Sequence, residues 1–177
     1  MRRLAACAAL VLLASCGDPV HDDQVDALGG EAPGVPQGEF HRAGQPCAVC
    51  HGGQGPASST FTLAGTVFSD PTGTTGVNAA TVYFVDDNKA HYSVPTNCVG
   101  NFFVTPGDWS PAFPLEVAIV KGSAGAQMIG HISREASCAF CHKDPPGTDS
   151  PGHVFMLTPN PQDNQTCPVN PVAGGGG

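Results

Sequence analysis

Charge is what this chain has least of. Only 12% of its 177 residues are charged, and the balance is one-sided, with 7 lysines and arginines against 15 aspartates and glutamates. A chain this poor in basic groups excludes nucleic-acid binding, which needs clustered Lys and Arg against phosphates. Helix-building composition is lacking too. Gly and Pro together supply 40 residues, which excludes a helical bundle and describes a chain rich in turns. Long apolar runs are also missing: the run Leu4–Leu13 covers ten residues, well short of the roughly 20 that a membrane-spanning helix requires.

That short run is informative in its context. Arg2 and Arg3 precede it and small residues follow, which is the pattern of an export signal. Leu13-Ala14-Ser15-Cys16 resembles a bacterial lipobox. The resemblance implies cleavage before Cys16, lipidation of that cysteine and attachment to a membrane through the lipid. Gly17, where an inner-membrane retention signal would have Asp, directs the expectation to the outer membrane, facing periplasm or cell surface. The alternative is an ordinary secretory signal that leaves a soluble periplasmic protein. Loss of residues 1–15 removes two arginines and no acid, so the formal charge falls from −8 to −10, which favours solubility and suits a basic partner.

Two pentapeptides carry the chemistry: Cys47-Ala48-Val49-Cys50-His51 and Cys138-Ala139-Phe140-Cys141-His142. Each is C-x-x-C-H, the attachment signature of a c-type haem. Two thiols form thioethers with the porphyrin vinyl groups, and the histidine ligates iron from one side. If each segment turns as a helix, positions three and four apart share a face, so all three side chains address one flat ring. The expectation is two covalently bound haem c groups, held by Cys47, Cys50 and His51 and by Cys138, Cys141 and His142. Paired C-x-x-C units also occur in zinc clips and redox disulfides, but the histidine after both pairs has no role in a zinc site, and neither motif has the βαβ setting of thiol–disulfide exchange.

Of eight cysteines, Cys7 leaves with the signal, Cys16 takes the lipid and four take haem. Cys98 and Cys167 remain, and in an oxidising compartment they are expected to pair and pin the C-terminal tail to a central turn. For the second axial position on each iron, the candidates are His41, His131, His153, His91 and Met128. His41 and His131 lead because they lie six and seven residues before the motifs. His21 sits in the acidic tether that follows the signal and ranks last, and Met156 fits strand packing.

Short alternating segments separated by Gly, Pro and Asn turns occupy the centre: 61–68, 80–85, 91–94, 102–104, 115–120, 127–132 and 153–157. This spacing predicts a mainly β fold, a small antiparallel β-sandwich flanked by two short helical or loop segments that bind haem. Leu63-Ala64-Gly65-Thr66-Val67, Ala80-Thr81-Val82-Tyr83 and Thr96-Asn97 leading to Gly100-Asn101-Phe102-Phe103 resemble carboxypeptidase-regulatory-like β-sandwich modules over about 61–121. With the flanking motifs, the chain resembles exported dihaem c-type cytochrome lipoproteins carrying such a module, in which the sandwich is scaffold. The expected organisation is a signal at 1–15, a flexible acidic tether at 16–38, a first haem segment at 39–60, the sandwich at 61–132, a second haem segment with a last strand at 133–160, and a tail at 161–177. The two haem segments either pack at one end of the sandwich, within electron-transfer reach of each other, or serve opposite ends.

The function these readings imply is electron transfer with redox proteins, other cytochromes among them, rather than catalysis. The alternatives are a haem-based redox or gas sensor or a peroxidase-like enzyme, if one iron is five-coordinate, and a non-haem binding lipoprotein.

Overall fold

The computed structural model describes residues 18–165, 167 and 168. The expected export signal, Cys7, Cys16 and residues 169–177 lie outside them. Six strands form two antiparallel sheets. Strand β1 (Leu63–Thr66) pairs with β4 (Asn101–Val104) as a two-stranded ribbon. A four-stranded sheet runs in the order β3 (His91–Pro95), β2 (Thr81–Val85), β5 (Glu116–Lys121), β6 (Ala124–Gln127). The mainly β sandwich expected from the alternation is what the chain forms.

Period-two patterning sets which residues face inward. In β2, Val82 and Phe84 are buried and Tyr83 between them is 46% exposed. In β4, Phe102 and Val104 are buried and Phe103 is 40% exposed. Leu63 and Val67 from the ribbon side meet Val82, Phe84 and Ile119 from the larger sheet, and Leu115 and Met156 join them from the connections. At about 1.5–3 kcal/mol for each fully buried large apolar side chain, this interior is the main stabilising term.

The turn into β4 needs a glycine. Gly100 has φ +84°, and a Cβ there would run into the Val67 carbonyl. The Asn97 side chain closes the same turn by accepting from the Val99 and Asn101 N–H groups at 3.1 and 3.0 Å, as turn asparagines do.

Two strand expectations shift. The sixth strand, expected at 127–132, forms at Ala124–Gln127, because the two-residue turn with Gly122 at φ +58° brings Ala124 directly opposite Lys121. Ile132 returns only as a bridge to Leu115. The segment 153–157 is no full strand. It runs beside the continuation of β1, with Phe68 N–H donating to Val154 O and Met156 N–H to Phe68 O, at 2.8 and 3.0 Å. Upstream, Ala64 N–H donates to Ala136 O at 2.8 Å. The chain around the second motif therefore occupies the free edge of β1, and all four β1 residues are buried.

The acidic segment expected as a flexible tether contains helix α1 (Pro19–Ala27). Its apolar periodicity is weak, so the sequence pattern gives no helix, but its start is well made. Asp18 accepts from the Val20 and His21 N–H groups, and Pro19 occupies the first turn. Arg42 then ties the segment down by donating to Glu31 at 3.1 Å and to the carbonyls of Leu28 and Gly29 at 3.3 and 2.8 Å.

At the other terminus, Cys98 and Cys167 form a disulfide with Cα atoms 5.5 Å apart, within the usual bridging range. Lys121 Nζ reinforces the tail through Asp163 at 2.7 Å. The bridge spans 69 residues, so loop-closure entropy gives it about 4 kcal/mol. The double substitution of Cys98 and Cys167 by Ala is expected to lower the unfolding free energy by about that amount in denaturant titrations.

Asp86 gives a pH signature. Its carboxylate accepts from the Ala112 and Ala90 N–H groups at 3.1 and 2.8 Å. These bonds, that of Ala112 foremost, hold its pKa below the ordinary 3.8. A depressed folded-state value stabilises above the unfolded-state pKa, and the contribution is lost as pH falls through the folded-state value. Asp86→Asn is expected to be less stable than the parent at pH 7, with the gap closing below about pH 4 in melts run across pH.

Candidate functional site

The two C-x-x-C-H motifs meet at the ribbon. The first forms a short helix, α2 (Cys47–His51), and the second a 3-10 turn over Cys138–Phe140, with His142 N–H donating to Cys138 O at 2.9 Å. Both pack against β1, so the motifs gather at one end of the sandwich rather than at opposite ends. The four motif cysteines are unbridged. Burial pushes the Cys138 thiol up to about 12, with the neighbouring Cys47 contributing next. Burial likewise pushes Cys47 up to about 11. Thiols held protonated in this way lack the thiolate character that disulfide exchange needs. Among the described residues, no group of three or more His, Cys, Asp or Glu side chains is arranged to hold a bare metal ion.

Strand alternation separates two cavities. On the outer face of the ribbon, a cavity of about 810 Å³ is lined by Cys47, Cys50, His51, His41, Phe61 and Phe103, among others. The His51 ring stacks on Phe61 at 4.1 Å between centres, and Phe61 stacks on Phe103 at 4.9 Å. His51 Nδ1 lies 2.9 Å from Ser59 O and 3.0 Å from Ser59 Oγ. Donation to the carbonyl fixes the tautomer and leaves Nε2 free. His41 Nδ1 is engaged in the same sense, by Glu31 Oε1 at 3.3 Å. The two imidazole centres stand 6.1 Å apart with their planes at 76°.

On the inner face, a second cavity of about 810 Å³ is lined by Cys138, Cys141 and His142 and opens onto the sandwich interior at Val82, Phe102, Ile119 and Met156. His142 Nδ1 meets Gly152 O at 3.1 Å, the arrangement of His51 repeated. Ile129, Phe155 and Leu157 at this cavity are exposed, an apolar surface that a bound planar apolar group would cover.

The axial candidates separate by position. His41 lines the first cavity, and His131, His153 and Met128 line the second. His153 is fixed, with Nδ1 3.2 Å from Gly73 O and its ring stacked on Phe68 at 4.4 Å, whereas His131 is exposed. The chain around Phe68 pairs with 154–156 and brings His153 back to the ribbon. His91 lies exposed at the start of β3 opposite Val85 and lines neither cavity, so strand pairing removes it from the set. Met156 is buried in the core.

Several contributing residues carry no signal in the sequence. Glu31, Ser59, Gly73 and Gly152 act through hydrogen bonds to histidine Nδ1 atoms, and such partners follow no spacing rule. Gly65 is the clearest case: a Cβ there would lie 2.8 Å from Cys138 Sγ and 3.0 Å from Phe102.

The residues present fit two covalently attached haems. Each cavity is of ligand-binding size, contains both thiols and the histidine of one motif, and faces a histidine whose Nδ1 is already occupied. Comparison with protein-family models, curated proteins and solved structures finds no match, so the argument rests on this geometry.

Gly65→Ala is expected to displace Cys138 and destabilise the fold by about 1–3 kcal/mol through overpacking. Haem attachment at the second motif should fall while the first motif stays loaded, read by mass spectrometry of proteolytic peptides.

Proposed function

We propose that this chain is a dihaem c-type cytochrome that transfers electrons. The observation carrying the reading is the repeated histidine arrangement. In both motifs Nδ1 is bonded to a backbone carbonyl, and Nε2 is left free beside a cavity lined by that motif's own two cysteines. Cys47 and Cys50 would hold one porphyrin and Cys138 and Cys141 the other, with His51 and His142 as axial ligands. Haem, when bound, supplies an iron that cycles between ferrous and ferric states. The chain's part is to ligate, bury and space the two centres. Both motifs pack on one strand and Phe102 lines both cavities, which supports electron exchange between the sites.

Export and lipid anchoring at Cys16 belong to the same proposal. They rest on the leader pattern, and among the described residues no helix is long and apolar enough to cross a membrane. A chain of formal charge −8, which falls to −10 on loss of residues 1–15, suits basic redox partners at a membrane surface.

The cavities differ in a way that would set the potentials. Asp26, Glu31 and Glu39 line the first against one arginine, Arg42, whereas the second has one acid, Glu135, among mainly apolar side chains. Negative groups stabilise the ferric state and apolar burial disfavours it, so the first site should have the lower potential. Expression with the haem-attachment machinery should give two covalent haems per chain by pyridine haemochrome assay, and one each in Cys50→Ser and Cys141→Ser. A spectroscopic redox titration should resolve two waves, of which Cys50→Ser loses the lower and Cys141→Ser the higher. Full loading of both single variants would overturn the haem assignment.

A further inference from the structure

We propose that His41 is the second axial ligand at the Cys47–His51 site, and that Glu31 is the positioning residue that orients it. The inference rests on the haem reading and makes it specific at one iron. With metal–imidazole bonds of about 2 Å and ring centres about 1 Å behind each nitrogen, two imidazoles on opposite sides of one iron stand about 6 Å apart, centre to centre. His41 and His51 stand 6.1 Å apart. Both have Nδ1 engaged, His51 by Ser59 and His41 by Glu31, so Nε2 is the free nitrogen on each ring.

The backbone under His41 is held as firmly as the ring. Asn101 Nδ2 donates to His41 O at 3.0 Å and to Glu39 O at 3.2 Å. Asn97 Nδ2 donates to Glu39 O at 2.6 Å. Asn101 is in turn oriented by Thr66 Oγ1 at 2.7 Å, and Thr66 Oγ1 accepts from Gly44 N–H at 2.8 Å. The outward-facing polar row of the ribbon thus grips residues 39–44 from both sides. Glu31 Oε1 is itself fixed by Arg42 Nε at 3.1 Å. A carboxylate accepting from Nδ1–H raises the donor strength of the opposite nitrogen. Ligation here is donation of the Nε2 lone pair to iron. Nδ1 keeps its proton, and nothing is oxidised or reduced in forming the bond.

The ring planes give an independent signature. At 76° the imidazoles are close to perpendicular, and a low-spin ferric centre so ligated shows one strongly anisotropic EPR line rather than a three-line rhombic pattern.

The test uses the full chain carrying Cys138→Ser and Cys141→Ser, so that only the first site is read. Covalent haem is quantified first. Its absence would overturn the haem reading, and this assignment with it. With haem present, the parent should be low-spin in both oxidation states with the single anisotropic line. His41→Ala should keep covalent haem, become high-spin in the ferric state, and return to low-spin on addition of imidazole. An unchanged low-spin spectrum in His41→Ala would overturn the ligand assignment alone. Should His41→Ala fail to fold, His41→Met is read instead: a low-spin centre with a raised potential supports the ligand role, and an unmoved spectrum and potential overturn it. Glu31→Gln should keep the low-spin spectrum and shift the midpoint potential upward; an unmoved potential would remove Glu31 from its role.

Discussion

The pleat of one two-stranded ribbon governs this molecule. Successive residues of a strand point to opposite faces, and the two faces of β1 and β4 serve different parts of the chain. Gly65 and Phe102 are register partners on the inner side, where Cys138 packs. Thr66 and Asn101, the next pair, face the outer side, where residues 39–44 are held. A one-residue slip of either strand would exchange that strand's two faces. A slip of β1 would set Thr66 against Cys138 in place of Gly65, and a slip of β4 would take Asn101 from the carbonyls that it grips. The register of four residue pairs therefore sets both cavities at once.

The rest of the fold supports that ribbon. The four-stranded sheet supplies the apolar surface against which its inner face packs. The chain around the second motif takes the free β1 edge through Ala136, Val154 and Met156. An edge strand left open would invite pairing with other chains, and here the edge is used to bring Cys138 and His153 to the site. The cross-link at Cys98 lies in the turn that leads into β4, so the tail is tied next to the same element. In the proposed function, rigidity of this kind has a direct use, because electron exchange depends on spacing and ligation that stay constant while charge moves.

How much was legible before the fold was known depended on how local each signal is. The pentapeptides declare their chemistry within five residues. The strands β1, β2, β3, β4 and β5 are visible from the sequence pattern, and the leftover cysteines from counting. Helix α1 was missed because Asp18 and Pro19 make its start while its apolar pattern is weak. That the first strand is buried on both faces is not legible, because its covers come from residues 39–44 and 136–137, far away in sequence. The return of 154–156 to pair with Phe68, which carries His153 to the ribbon, is equally invisible along the chain.

The sequence by itself determined the local matters: where strands and turns fall, which cysteines and histidines belong to attachment motifs, and which two cysteines were left to pair. Each follows from covalent spacing or backbone period, which the chain carries without reference to its fold. Only the tertiary structure decided that the motifs share one strand, that one cavity opens onto the apolar interior and the other onto acidic groups, and that Glu31 stands behind His41. Most of these are distances between residues remote in sequence, and Glu31 reaches His41 only through an irregular turn with no repeating pattern. They depend on strand register and on the bonds that close the fold, and no pattern along the chain encodes them.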